Sequence, residues 1–166
     1  MERILVIGCP GSGKTTLSGK LAEKTGLPLI HLDQLYWTDG WTEVPQEVFD
    51  GRLLSALNQP QWVIDGNFGR TLPLRLSYCD TVIYLDFPRG VCLWGALTRW
   101  LKHHGQSRPD MGGNCPERLS PEFLRSIWSF RRQHRTSYDT LLKQFPAVTV
   151  HTFHRRKDAW QWLETI

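Results

Sequence analysis

Residues 4–24 read Ile4-Leu5-Val6-Ile7-Gly8-Cys9-Pro10-Gly11-Ser12-Gly13-Lys14-Thr15-Thr16-Leu17-Ser18-Gly19-Lys20-Leu21-Ala22-Glu23-Lys24, and this stretch decides the fold. Its four leading apolar residues predict a buried strand, and the run from Thr16 continues as a helix. Between them stands the spacing G-x-x-x-x-G-K-[ST], from Gly8 to Thr15. Such glycines let successive backbone N–H groups turn inward around a chain of phosphates, at the positive end of the helix that starts there. Lys14 then reaches the terminal phosphates, and the Thr15 hydroxyl holds a Mg²⁺. Strand, glycines, Gly-Lys, hydroxyl and helix in this order predict a site for ATP. It is formed by Gly8, Pro10, Gly11, Ser12, Gly13, Lys14, Thr15 and Thr16.

Outward from that loop, apolar β-rich segments alternate with helical ones, which predicts a parallel sheet covered by helices. Strands are expected at 3–7, 28–32, 61–65, 80–86 and 147–151. Helices are expected at 14–25, 45–58, 71–77, 89–103, 120–144 and 155–165. Right-handed crossovers then give a three-layer α/β/α domain over residues 1–166. The stretch from His104 to Ser120 is rich in Gly, Pro and charge and fits no element; a connection of that length in a compact domain is usually functional. Residues 104–119 read as a lid that is mobile until a ligand closes it, and residues 33–60 as an insert on the acceptor side.

Open parallel sheets place their ligands at the carboxyl ends of the strands, and two carboxylates stand there. Asp65 ends the strand Trp62-Val63-Ile64 and is expected to join Thr15 in holding the metal through its water. Asp86 is its rival, because Val82–Leu85 is also apolar and also ends in Asp. Asp33, expected at the end of the second strand, is placed to orient or deprotonate an acceptor hydroxyl beside the γ-phosphate. Arginines are the natural complement, since phosphoryl transfer is mostly positioning and charge neutralisation. Arg70 and Arg75 are expected to clamp an anionic group of the acceptor. Arg99, Arg131 and Arg132 are expected at the transferring phosphate. Arg131, Arg132 and Arg135 span one helical turn, so they cannot all face the site.

Composition narrows the rest. The 166-residue chain carries a net charge of +4, unevenly spread. Residues 1–80 hold seven Lys+Arg against nine Asp+Glu, and residues 81–166 hold thirteen against seven. A basic half fits either nucleic acid or a phosphate cleft. No helix-turn-helix, zinc finger or basic stripe interleaved with aromatics is present, so specific DNA binding is not expected. The four cysteines lack paired spacing, and there is no apolar run of about 18 residues, which points to a cytoplasmic chain without membrane contact. Of the eight tryptophans, Trp62, Trp94, Trp128 and Trp160 sit among apolar residues and read as core. Trp37 and Trp41 lie in a polar, glycine-containing loop and are not so readily assigned.

Taken together, the phosphate loop, Asp65-Gly66 with Arg70, the helix ending in Arg99, the lid and the arginine helix resemble the adenylate-kinase group of nucleoside monophosphate kinases. In that group the segment after the strand reads Asp-Gly-Phe-Pro-Arg, whereas here it is Asp65-Gly66-Asn67-Phe68-Gly69-Arg70. More specific motifs resemble the DNA topology modulation (FlaR-type) branch. They are His31-Leu32-Asp33-Gln34-Leu35-Tyr36-Trp37, Trp62 to Phe68, Leu85-Asp86-Phe87-Pro88-Arg89, Arg108-Pro109-Asp110-Met111 and Cys115-Pro116-Glu117. The resemblance implies a P-loop NTPase fold with a five-stranded parallel sheet in the order 2-3-1-4-5, and Arg99 near the adenine. It implies ATP and Mg²⁺ as cofactors and a small-molecule phosphoryl acceptor, with a nucleotide or nucleoside among the candidates. Two other readings stay open: a DNA-associated ATPase modulating DNA topology, and a nucleotide-binding switch with negligible transfer.

Overall fold

The computed structural model describes residues 1–166. Its centre is β1 (Arg3–Gly8), whose Ile4, Leu5, Val6 and Ile7 are completely buried. A strand covered on both faces reads as an unbroken apolar run, and this one does. α1 (Lys14–Thr25) follows and ends at Gly26, whose φ of 71° supplies the left-handed cap. β2 (Leu29–His31) is shorter than the predicted strand 28–32, because Leu32 already begins a short helix, α2 (Leu32–Tyr36). A small hairpin comes next, made by β3 (Trp37–Thr38) and β4 (Thr42–Glu43).

α3 (Gln46–Leu57) leads to β5 (Trp62–Asp65), and α4 (Leu72–Tyr78) leads to β6 (Thr81–Leu85). α5 (Arg89–His103) and α6 (Pro121–Leu142) flank the long connection. Ser120 caps α6 by accepting a hydrogen bond from the Phe123 N–H at 3.1 Å, worth about 1 kcal/mol of helix stability. β7 (Thr149–Phe153) and α7 (Arg156–Glu164) complete the chain. β7 lies two residues beyond the predicted span 147–151, because an exposed edge strand lacks the apolar run that marks the other strands.

The main sheet has five parallel strands in the order β2-β5-β1-β6-β7, the 2-3-1-4-5 arrangement when its own strands are counted. Leu5 of β1 pairs with Ile64 on one side and Val82 on the other. The first crossover runs one way across the sheet and those after β2 the other, so right-handed connections put α1 on one face and α3 and α4 on the opposite one. Buried side chains form one contiguous core across these layers, with Trp62 among its largest fully buried members. Trp94 and Trp128, expected there, are exposed; Arg89 stacks its guanidinium 3.8 Å from the Trp128 ring centre. No helix is long and apolar enough to cross a membrane.

Candidate functional site

The carboxyl ends of β1, β2 and β5 open into a cleft of about 1060 Å³, larger than the usual range for one drug-sized ligand. Pro10, Gly11, Ser12, Gly13, Lys14, Thr15 and Thr16 line it, together with Asp33, Asp65 and Arg99. Gly8 lies at the root of the loop. There a Cβ would come within 2.6 Å of the Leu85 carbonyl, with φ at 148°. At Gly11 a Cβ would meet the Cys92 carbonyl at 2.1 Å, so the loop presses its backbone directly onto α5. Gly13, at φ 94°, has nothing within 4 Å of its Cβ position.

The residues of the loop fit a bound polyphosphate. No side chain caps the N-terminus of α1 and its first turn carries no acid, so those backbone donors and the helix dipole favour an anion. The Ser12 hydroxyl is buried within the loop and has no protein partner. Burial lowers the pKa of Lys14, while Asp65, Cys9 and Asp33 counter it. The Lys14 ammonium donates to the carbonyls of Gly8 and Cys9, at 2.8 and 3.1 Å. Cys9 is itself buried, and the neighbouring Cys92 thiol and desolvation push its pKa up.

Asp65 is tightly held. His31, its neighbour in the β2–β5 register, places Nδ1 2.6 Å from Oδ1, and the Ser18 hydroxyl donates to Oδ2 at 3.2 Å. Asp65 is 4 % exposed. Asp86, its rival, is surrounded by Arg131, Arg135 and His154 at 2.9, 3.3 and 3.2 Å and stands outside the cleft. Thr15 does not bond to Asp65. Its hydroxyl donates instead to Asp110 of the long connection, at 3.3 Å.

Asp33 stands in the first turn of α2 rather than at a strand end. Its carboxylate accepts no hydrogen bond from the protein. Burial and the nearby Asp65 raise its pKa, against the pull of Lys14 and Arg108.

The arginines are distributed differently from expectation. Arg75 is completely buried and donates to the carbonyls of Gly66, Asn67 and Phe68, shaping the turn after β5 instead of facing a ligand. Arg70 pairs with Asp50 on an exposed rim, beside a separate hollow lined by Tyr36, Phe49 and Phe68. Arg131 is spent on Asp86, and Arg132 is exposed and forms no ion pair; neither lines the cleft. Arg99 does line it, 2.8 Å from Glu117. Sequence reasoning missed Arg108, Asp110 and Glu117 as site residues. Arg108 lies 2.8 Å from both carboxylates. Their signal was the charged Arg108-Pro109-Asp110 and Cys115-Pro116-Glu117 pairing in a segment too long for a bland loop.

Residues 104–119 lie over the cleft. Trp41 Nε1 donates to the Pro116 carbonyl at 3.0 Å and Gln34 Nε2 to the Pro109 carbonyl at 2.7 Å. The Asn114 N–H donates to Asp39 at 2.7 Å. Gly112 nests on the hairpin, where a Cβ would lie 2.0 Å from the Trp37 carbonyl. Cys115 donates its thiol to the Thr38 carbonyl, tying the segment to the hairpin again. Two aromatic residues of the cleft, Trp41 and Phe68, have positive φ, of 63° and 33°. Such backbone costs on the order of 1–3 kcal/mol each and persists only where the surroundings enforce it.

Sheet order, phosphate loop and crossovers define a P-loop NTPase fold. Structurally the chain is similar to a shikimate kinase from Bacteroides thetaiotaomicron, with a TM-score of 0.59 and 16 % identity. The match covers 99 % of this chain and 95 % of that one, and at this identity the likeness is one of fold. No protein-family model matches the chain, and no curated protein does.

Proposed function

We propose that this chain transfers the γ-phosphoryl group of Mg·ATP to the hydroxyl of a small acceptor. One observation carries the reading: a single cleft joins the Lys14–Thr15 cradle to Asp33, a half-buried carboxylate with no protein hydrogen bond. The loop backbone, Ser12 and Lys14 bind and orient the triphosphate. Thr15, Asp65 and Asp110 are the residues that would hold Mg²⁺, which neutralises phosphate charge when bound. Asp33 orients the acceptor hydroxyl and takes its proton, and Arg99 stands beside the nucleotide. Residues 104–119 act as the lid that excludes water, which would otherwise compete as acceptor. Residues 33–60 form the acceptor side.

Each motif that resembles the DNA topology modulation branch contributes to this cleft: Asp33 and Trp37, Asp65 and Phe68, Leu85 and Phe87, Arg108 and Asp110, and Glu117 all line it. The basic charge of the second half supports it too. Arg99 and Arg108 turn onto Glu117 at the cleft, and Lys102, Arg118 and Arg156 line it, so part of that charge serves the phosphate site. The test follows phosphate by ³¹P NMR in Mg·ATP with a panel of hydroxyl compounds, for the wild type and Asp33→Asn. The wild type should yield ADP and a phosphomonoester. Asp33→Asn should lower kcat about 10²–10⁴-fold with Mg·ATP affinity little changed. Equal loss of ATP affinity and turnover would move Asp33 to the metal and defeat the assignment.

A further inference from the structure

Beside Asp33 the wall of the cleft is aromatic. Trp37 at the end of α2, Trp41 in the hairpin turn and Phe68 beyond β5 all line it. The Trp37 and Trp41 rings sit 5.5 Å apart at 73°, and Tyr36 meets Trp37 and Phe68 edge-on at 4.8 and 4.9 Å. Trp41 and Phe68 are also the two residues other than glycine with positive φ in the whole chain. Backbone held in that region concentrates at ligand clamps. The Trp41 indole is pinned through Nε1 to the Pro116 carbonyl, so the wall is fixed to the segment that covers the cleft.

Charge supplies an independent constraint. Asp33, Asp65 and Asp110 face the cleft, while the cations of this side are committed elsewhere. Arg75 serves backbone carbonyls, Arg70 pairs with Asp50 off the cleft, and Arg108 is held between Asp110 and Glu117. Lys102, Arg118 and Arg156, which also line the cleft, come from α5, the end of the covering segment and α7, not from the elements of the aromatic wall. Held against the aromatic wall, a phosphate or carboxylate on the acceptor would face Asp33, Asp65 and Asp110 and meet no unpaired cation from the wall's own elements, which is unfavourable.

From the aromatic wall and the committed cations we infer that the acceptor is an uncharged nucleoside-class molecule, a flat heteroaromatic ring bearing a free hydroxyl. The inference rests on the kinase reading above and narrows its acceptor. The ring lies against Trp37, Trp41 and Phe68, and the hydroxyl meets Asp33. In the transfer the hydroxyl oxygen bonds to the γ-phosphorus, and the bond to the β–γ bridging oxygen breaks. ADP leaves with that electron pair, and the hydroxyl proton passes to the Asp33 carboxylate.

The test is calorimetry on the chain loaded with Mg·AMP-PNP, titrated with adenosine, guanosine, cytidine and thymidine and with the 5′-monophosphate of each. At least one nucleoside should bind about ten-fold tighter than its own monophosphate. Trp41→Ala should weaken that binding about ten-fold or more, the usual range for a base stacked on an aromatic side chain, and Trp41→Phe should restore most of it. Titration of each variant with Mg·AMP-PNP alone verifies its folding, and Phe68→Leu replaces Trp41→Ala should the latter not fold. If the wild type fails to bind Mg·AMP-PNP, the kinase reading falls and the inference with it. If it binds, three results overturn the inference alone: every monophosphate at least as tight as its nucleoside, no nucleoside bound, or nucleoside affinity unmoved by the aromatic substitutions.

Discussion

Asp33 is a carboxylate whose surroundings set its chemistry. Burial and the adjacent Asp65 raise its pKa, and Lys14 and Arg108 keep that rise in check. Because only the ionised form takes a proton, transfer should fall as pH drops through this raised value. The acid limb of kcat/KM should therefore lie above the ordinary aspartate position near 3.9, and it should vanish in the residual activity of Asp33→Asn. A limb at the ordinary position, or one that survives the substitution, would remove Asp33 from the proton's path. The place of Lys14 and Thr15 in the cleft is legible in the sequence from the spacing of their loop to β1, whereas Asp33 reaches the cleft from the first turn of α2 and not from the expected strand end. His31 and Ser18 were not legible, since their meeting at Asp65 depends on the β2–β5 register and on one turn of α1. The fate of Arg75 was hidden for the same reason. Its partners are backbone carbonyls, which carry no sequence signal.

At the level of elements, continuous apolar runs marked β1, β5 and β6, which are the strands buried on both faces. The short helix α2 and the hairpin after it were unreadable. Five residues are too few to show a helical period, and a two-residue strand depends on what it packs against. Here the partner is the 104–119 segment, whose length identified it while its docking site stayed invisible. Gly112 is where the two meet. A methyl group there cannot be accommodated 2.0 Å from the Trp37 carbonyl, so Gly112→Ala should lift the segment from the hairpin. Hydrogen exchange should then show residues 104–119 losing protection while β1 and β6 keep theirs. Unchanged protection would mean that the docking does not depend on this close approach. Arg131 and Arg135 show the limit of periodicity. Their i, i+4 spacing puts them on one helix face, but only the fold brings Asp86 to it.

Across the whole molecule, charge and strain are both organised around the cleft. Four arginines of the second half are drawn onto two carboxylates, Arg99 and Arg108 onto Glu117 and Arg131 and Arg135 onto Asp86, and the uncapped α1 N-terminus with Lys14 forms the anion-binding end of the cleft. Sheet order 2-3-1-4-5 puts that site at the ends of neighbouring strands, where α/β sheets bind their ligands. The likeness to a shikimate kinase extends over nearly the entire chain, so this arrangement belongs to the fold and not to the loop alone. The measurement that bears most directly on this account is calorimetric titration with Mg·AMP-PNP of the wild type and Lys14→Ala, with circular dichroism to verify the fold. The account predicts one-to-one binding that requires Mg²⁺ and weakens by about 10- to 100-fold in Lys14→Ala, the range for losing a charge-assisted hydrogen bond. Affinity unchanged by the substitution in a folded variant, or binding indifferent to the metal, would contradict it.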